Sequence, residues 1–244
     1  MGSVSPGPVR QGPVFDDYLA LLRHVHGHLR PRTYVEIGVH EGASLALVAP
    51  GTRSVGIDPT PSLRHPLRPD TIVLQQTSDA AFSGDELPRL LDGRPIDLAF
   101  IDGLHLFECA LRDFIAIERR CSPSSTILVH DCYPRDEMTS ARDRTTVFWS
   151  GDVWKLVLCL TELRPELEVA VADVAPTGLA IVRGLDPASE VLSRQYDDLC
   201  ARFVDLGYDA VAEDKPRRLR LVPGDWPTVR ALLTTGEQSH AAPT

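Results

Sequence analysis

The sequence predicts an α/β protein with a doubly wound, seven-stranded sheet that is mostly parallel and ends in an antiparallel hairpin. Short apolar runs rich in β-formers alternate with helical stripes over residues 33–129, which is typical of parallel strands joined by helices. Two more apolar runs, at 168–174 and 179–183, are separated only by an Ala-Pro-Thr-Gly turn. So short a connection predicts a hairpin, whose two strands are antiparallel.

The predicted elements follow one another along the chain in a regular order. A helix is expected first, over 14–29, where apolar residues recur at helical spacing. Five predicted strands follow, at 34–37, 53–57, 71–74, 96–101 and 125–129. Between and after them we predict helices, at 86–91, 104–120, 151–163, 188–203 and 226–233.

We predict one folded domain over 14–184 and a helical appendage over 185–235. The start of the chain is rich in Gly, Pro and Ser, so a disordered lead is expected over 1–13, and a disordered tail over 236–244. The lead lacks the apolar core of a signal peptide. No apolar run in the sequence approaches the length of a membrane span.

Charge and cysteine usage narrow the classes of function. A formal net charge of −9 argues against nucleic acid as a partner, because phosphate backbones are bound by basic surfaces. The five cysteines are scattered and none forms a C-x-x-C pair, so neither a zinc cluster nor a disulfide framework is predicted. We therefore expect a cytoplasmic protein without a membrane or nucleic-acid partner; a homo-oligomer stays open.

A glycine turn after the first strand predicts a ligand site. Gly38 lets the backbone approach a ligand closely, because it has no Cβ. Gly42 is expected to open a helix over 43–48, whose free N–H groups attract a carboxylate, and Ser44 adds a hydroxyl. Glu36, at the end of the strand, can accept from an ammonium group. Together these groups suit the zwitterionic end of an amino acid.

Two further strand ends suit a nucleoside. Asp58 ends the second strand, some twenty residues after the glycine turn begins, where a carboxylate can accept from both ribose hydroxyls. Ser78 and Asp79 follow the third strand and can contact a base. They also suit the first residues of a helix, so both interpretations stay open.

The fourth and fifth strands end in acids and histidines. Asp102 ends the fourth strand, and His105 follows at the predicted start of a helix. An imidazole titrates near neutrality, so His105 can act as a general base on a hydroxyl; the alternative is a structural bond to nearby backbone. His130 and Asp131 end the fifth strand, and His130 is the second candidate for the base.

Two of these stretches resemble a known family. The pattern Glu36-x-Gly38-x-x-x-Gly42-x-Ser44 resembles the first motif of class I S-adenosylmethionine (SAM) methyltransferases. It differs from the Gly-x-Gly-x-x-Gly of dinucleotide sites. The run Ile-Asp-Gly-Leu-His ending at His105 resembles the Ile-Asp-Gly-x-His signature of a bacterial SAM methyltransferase family, which includes O-methyltransferases of natural-product sugars.

The resemblance implies a Rossmann-like fold, SAM as cofactor and a small-molecule acceptor methylated on a hydroxyl. It places Asp102 among the cofactor-binding residues. Catechol-type O-methyltransferases hold a metal at this corner, which implies Mg²⁺ on Asp102 and Asp131. Those enzymes have an acid followed by an amide where this chain has His130 and Asp131.

A loop over 142–154 is predicted to close over the acceptor. Trp149 and Trp154 are expected to contact it, with a hinge at Gly151 and with Asp152 capping the helix that follows. The alternative is that the aromatic residues are core of that helix. Two other functions also remain: a SAM-binding enzyme that cyclises or cleaves SAM, and a non-catalytic nucleoside-binding module.

Overall fold

A sheet of eight strands forms the centre of the part of the chain that this computed structural model describes, residues 13–234. In chain order its strands are β1 (Thr33–Ile37), β2 (Arg53–Ile57), β3 (Ile72–Leu74), β4 (Ile96–Ile101), β5 (Cys121–His130), β6 (Glu168–Asp173), β7 (Leu179–Arg183) and β8 (Leu221–Pro223). Across the sheet they lie in the order β3-β2-β1-β4-β5-β7-β6-β8.

Helices connect and cover these strands. Those of the described residues are α1 (Tyr18–Leu29), α2 (Ser78–Ser83), α3 (Glu86–Leu90), α4 (Phe107–Glu118), α5 (Trp154–Leu163), α6 (Val191–Arg194), α7 (Tyr196–Val204), α8 (Asp209–Ala212), α9 (Lys215–Arg218) and α10 (Trp226–Thr234). Within 13–234, none of them has both the length and the apolar character needed to cross a bilayer.

The predicted fold class is confirmed. Strands β1 to β5 pair in parallel, and β7 is antiparallel to both β5 and β6, as the short turn between β6 and β7 predicted. The sheet has one strand more than expected, because β8 pairs in parallel with β6. A run of three residues is too short to show the alternation by which a strand is recognised in a sequence.

Apolar side chains on both faces of the sheet explain why helices cover both. On one face α4 and α5 pack through residues such as Phe114 and Leu160, both at most 1% exposed. On the other face α1 and α10 pack through residues such as Leu22 and Val229, which are fully buried. All five residues of β1 are buried, as expected for a central parallel strand.

Several predicted helices begin late or are much shorter than expected. After β1 the structure has only a 3₁₀ turn, Leu45–Leu47, because Pro50 and Gly51 follow at once and end any helix. The helix predicted from residue 104 begins at Phe107, so His105 lies in the turn before it. Likewise α5 begins at Trp154, three residues after the predicted start.

The C-terminal segment packs closely on the rest of the chain. Besides helices it supplies β8, Phe203 packs against Phe107 with ring centroids 5.2 Å apart, and Trp226 meets Phe15 edge-on at 6.4 Å. A boundary at 184/185 stays a prediction. Residues 1–12 and 235–244, which include nearly all of the predicted lead and all of the predicted tail, lie outside the described residues.

Candidate active site

A cavity of about 670 Å³ opens where β1, β2, β4 and β5 end. This volume lies in the range of pockets that hold small molecules and cofactors, and ligands of open α/β sheets bind at this edge. Most of the predicted site residues line it: Gly38, Ser44, Asp58, Ser78, Asp79, Asp102, His105, His130, Asp131 and Trp149. The predicted residues Glu36, Gly42 and Trp154 do not line it.

The glycine turn is tightly packed against the neighbouring strand. Gly38 has φ 87°, and a Cβ on it would lie 2.0 Å from the carbonyl oxygen of Asp102. Only glycine therefore fits at this position, where β1 and β4 end side by side. Gly42 has φ 82°, and His40 between them has φ 48°, so the turn passes through the left-handed region three times.

Glu36 lies behind the cavity wall. Its carboxylate is fully buried and accepts hydrogen bonds from the hydroxyls of Tyr34 and Ser44, both at 2.6 Å. Burial raises the pKa of Glu36 to about 8, although both hydrogen bonds act to lower it. Glu36 can therefore reach a ligand only through Ser44. The helix predicted to open at Gly42 is wrong, because only the 3₁₀ turn Leu45–Leu47 forms there; binding of a carboxylate at this turn stays a prediction.

Asp58 is held rigidly at the end of β2. Its two carboxylate oxygens accept from the backbone N–H groups of His40 and Thr60, each at 2.8 Å. A carboxylate oxygen can accept more than one hydrogen bond, so Asp58 keeps the capacity to bind hydroxyl groups in the cavity.

The residues after β3 begin a helix and also line the cavity, so contact with a base stays a prediction. Thr77 caps α2 by accepting from the N–H of Ala80, which frees Ser78 and Asp79 to line the cavity. Asp79 pairs there with Arg112, whose Nε lies 2.7 Å from a carboxylate oxygen. This corner therefore offers both a hydroxyl and a charged pair to a ligand.

Two imidazoles and two carboxylates form a cluster at the ends of β4 and β5. Nδ1 of His105 lies 2.9 Å from Oδ2 of Asp131, a close ionic contact that is poorly aligned for a hydrogen bond. Nδ1 of His130 lies 3.1 Å from Oδ1 of Asp102. Thr177, from the turn between β6 and β7, donates its hydroxyl hydrogen to Asp131. The three predicted catalytic residues thus come together.

The cluster favours charged forms of its members. Burial alone would lower the pKa of both imidazoles, but the nearby carboxylates outweigh it. The pKa of His105 therefore lies above its usual value, mainly through Asp131, and that of His130 rises to about 10 beside Asp102. Burial would raise the pKa of Asp131, yet its contacts with the two imidazoles hold that pKa well below the usual range.

The two predicted acceptor-contacting tryptophans lie in different surroundings. Trp149 lines the cavity and stacks on His105, with ring centroids 5.2 Å apart and planes 9° from parallel. Its indole N–H donates to the carbonyl of Ala141 at 2.6 Å. Trp154 is 1% exposed and packs in the core, edge-on to Tyr208. In this geometry Trp154 stabilises the fold and does not contact an acceptor.

Tyr18, which the sequence did not single out, also lines the cavity. It begins α1, and its ring lies 4.0 Å from that of His130. Burial, and then the charge of Asp102, raises the pKa of the phenol, so it stays protonated. Within 13–234 its hydroxyl has no hydrogen-bond partner. Nothing in an amphipathic helix marks its first tyrosine as functional, so only the packing of α1 on the sheet reveals it.

The donor set of the cluster does not fit Mg²⁺. Asp102, His105 and Asp131 place potential ligand atoms within 4.8 Å of one another. Mg²⁺ prefers six oxygen ligands. One oxygen of Asp131 already accepts from Thr177, and the other contacts His105. The Oδ1 atom of Asp102 contacts His130. Imidazoles with raised pKa values thus stand where the cation would bind.

Comparison with known proteins identifies the class of enzyme. Residues 35–132 match the sequence profile of a family described as a methyltransferase domain. This region spans β1 to the residues just after β5, and so contains most of the cavity wall. The part of the chain over 35–132 therefore resembles a methyltransferase domain, which indicates an enzyme of that class. No curated protein matches the chain.

Solved structures share the fold at low sequence identity. Methyltransferase PaMTH1 of Podospora anserina, solved with S-adenosylhomocysteine (SAH), is 15% identical, with a TM-score of 0.51 over 69% of this chain and 78% of that one. Cofactor-bound Rv0187 from MTB is 16% identical, with a TM-score of 0.51 over 72% and 83%. A protein of Klebsiella pneumoniae assigned as an O-methyltransferase is 11% identical, with a TM-score of 0.50 over 73% and 84%.

Proposed function

We propose that the chain transfers a methyl group from SAM to a hydroxyl group of a small molecule. One observation carries this proposal: His105 lines the cavity with Nδ1 against Asp131, while Nε2 lies 3.8 Å from the nearest oxygen of Asp102. An imidazole whose other nitrogen is held by a carboxylate is suited to take a proton from a hydroxyl.

The cavity has the groups that a SAM site needs. SAM supplies, when bound, a methyl group on a positively charged sulfur. We assign Asp58, whose carboxylate is held by two backbone N–H groups, to the ribose hydroxyls, and Ser78 and Asp79, which also line the cavity, to the base. Ser44 donates to Glu36, so the lone pairs of its oxygen remain to accept from an ammonium group. These roles support the cofactor assignment, in agreement with the SAH bound to PaMTH1.

His105 is the better candidate for the base. The pKa of about 10 keeps His130 protonated at neutral pH, so His130 cannot take a proton there and instead orients Asp102. When His105 takes the proton of the acceptor, Asp131 stabilises the imidazolium that forms, and Thr177 holds Asp131. Holding the acceptor beside the methyl donor supplies much of the remaining rate.

Labelled SAM tests the proposal and separates it from its alternatives. The protein would be incubated with methyl-labelled SAM and a pool of phenols, sugars and hydroxy acids, and the products separated by chromatography. A labelled methyl ether together with SAH supports the proposal. Methylthioadenosine without a labelled ether indicates an enzyme that cyclises or cleaves SAM. Tight SAM binding without any product indicates a non-catalytic module.

A further inference from the structure

Asp152 contacts the backbone at His105 and two residues after it. Its own N–H donates to the carbonyl oxygen of His105 at 3.1 Å, and its Oδ1 accepts from the N–H of Phe107 at 2.7 Å. We propose that Asp152 is a positioning residue that fixes His105 in the cavity. This inference rests on the proposed function, in which His105 is the base.

The contact with Phe107 is a helix cap supplied from elsewhere in the chain. The first N–H groups of a helix lack partners within it, and a nearby side chain usually accepts from one of them. Leu106 precedes α4 and has no side chain that can do so. Asp152, 45 residues further on, takes that role. The sequence predicted that Asp152 would cap α5, but it caps α4, the helix that begins just after His105.

The side chain of Asp152 is itself rigidly held. It is 1% exposed, and its Oδ2 lies 2.7 Å from Arg142 and 2.9 Å from Lys155. Arg142 also binds Glu108 of α4, at 2.6 Å. Asp152 and Glu108 together balance the charges of Arg142 and Lys155, and the buried side chain of Asp152 has little freedom to move. The cap is therefore rigid.

Neighbours of Asp152 touch other parts of His105. A Cβ on Gly151, where φ is 59°, would lie 1.8 Å from the carbonyl oxygen of His105, so only glycine allows this approach. The ring of Trp149 stacks on the imidazole. Residues 149–152 therefore contact the ring, the carbonyl and the following turn of His105. We predicted a hinge at Gly151, yet this end of the loop is anchored to His105.

Two substitutions of Asp152 separate positioning from general stability. Both Asp152→Asn and Asp152→Ala remove the charge that Arg142 and Lys155 require, so both should lower the melting temperature. Only asparagine keeps a side-chain oxygen that can accept from Phe107. A misplacement of about 1 Å can cost about 100-fold in rate. We therefore expect kcat to fall about 10- to 100-fold in Asp152→Ala and no more than about threefold in Asp152→Asn, with KM for SAM unchanged in both.

Asp225 supplies a matched control. It caps α10 by accepting from the N–H of Thr228 at 3.0 Å, and it does not line the cavity. Asp225→Asn and Asp225→Ala should show no such difference in kcat. Equal losses of kcat in the two Asp152 variants, or full activity in Asp152→Ala, would overturn the proposal.

A readout independent of turnover keeps this test separate from that of the proposed function. The ring nitrogens of His105 can be followed by NMR in ¹⁵N-histidine-labelled protein with SAH, and assigned from the signals missing in His105→Ala. The ¹⁵N chemical shifts of His105 should change in Asp152→Ala and remain the same in Asp152→Asn. Unchanged chemical shifts in both variants would contradict the proposal. If Asp152→Ala does not fold, Gly151→Ala takes its place, because its Cβ displaces the His105 carbonyl and should move the same signals.

Discussion

The ring of Trp149 lies parallel to that of His105, and both rings line the cavity. An acceptor that presents its hydroxyl to the imidazole must therefore pass beside the indole. Trp149→Ala should raise KM for the acceptor about tenfold, the effect of losing about 1.4 kcal/mol of binding free energy. KM for SAM should stay nearly unchanged. Steady-state kinetics with each substrate varied in turn measure both KM values. An increase in KM for SAM without one for the acceptor would refute the prediction.

Removal of the base should abolish most of the turnover. We expect His105→Ala to lower kcat about 10²- to 10⁴-fold, the usual contribution of a general base, and to leave SAH affinity unchanged. His28→Ala, outside the cavity, is the control. If His105→Ala retains full activity, His105 is not the base and the proposed mechanism fails.

Raising the pH should weaken the fold through His130. Its pKa is about 10 in the folded protein and about 6.5 when exposed, because Asp102 outweighs the effect of burial. The charged form thus stabilises the fold below pH 6.5, and this contribution is lost as the pH rises towards 10. The melting temperature should fall over that window, by about 2–4 °C for each kcal/mol lost. His130→Asn should show a smaller decrease; an equal decrease would exclude His130 as the cause.

SAM and SAH should stabilise the protein, and NAD should not. A ligand at a hundredfold excess over its dissociation constant raises the free energy of unfolding by about 2.7 kcal/mol. Asp58→Ala should weaken SAM binding by about 1–3 kcal/mol, through lost hydrogen bonds to a charged group. Thermal shift and titration calorimetry measure the two effects. Stabilisation by NAD without any response to SAM would rule out the cofactor assignment.

A chelator should leave activity unchanged. Imidazoles contact the carboxylates of Asp102 and Asp131, so the described cluster does not present the six oxygens that Mg²⁺ prefers. The measurement is kcat before and after treatment with EDTA. A loss of activity that added Mg²⁺ restores would show instead that these carboxylates bind a cation during turnover.

Much of the fold could be predicted because its signals are local. Buried parallel strands read as apolar runs, and the turn at 175–178 is too short for anything but an antiparallel pair. Strand ends of a parallel sheet lie at one edge, so Asp58, Asp102 and Asp131 could be placed in one cavity from their positions alone.

The rest depended on contacts that no short window of sequence shows. Tyr18 reaches the cavity because α1 packs across the sheet, and Asp152 caps a helix that begins 45 residues before it. The helix expected after Gly42 failed because the apolar run there is ended by Pro50, which the helical pattern alone did not weigh.

Both outer strands of the sheet, β3 and β8, are only three residues long. An outer strand exposes unpaired N–H and C=O groups that can recruit a strand from another chain, and shortness is one way in which proteins limit this. The longer strand β6 would present such a row if β8 did not cover it. The brief pairing at 221–223 thus covers the end of β6 and limits the edge that another chain could join.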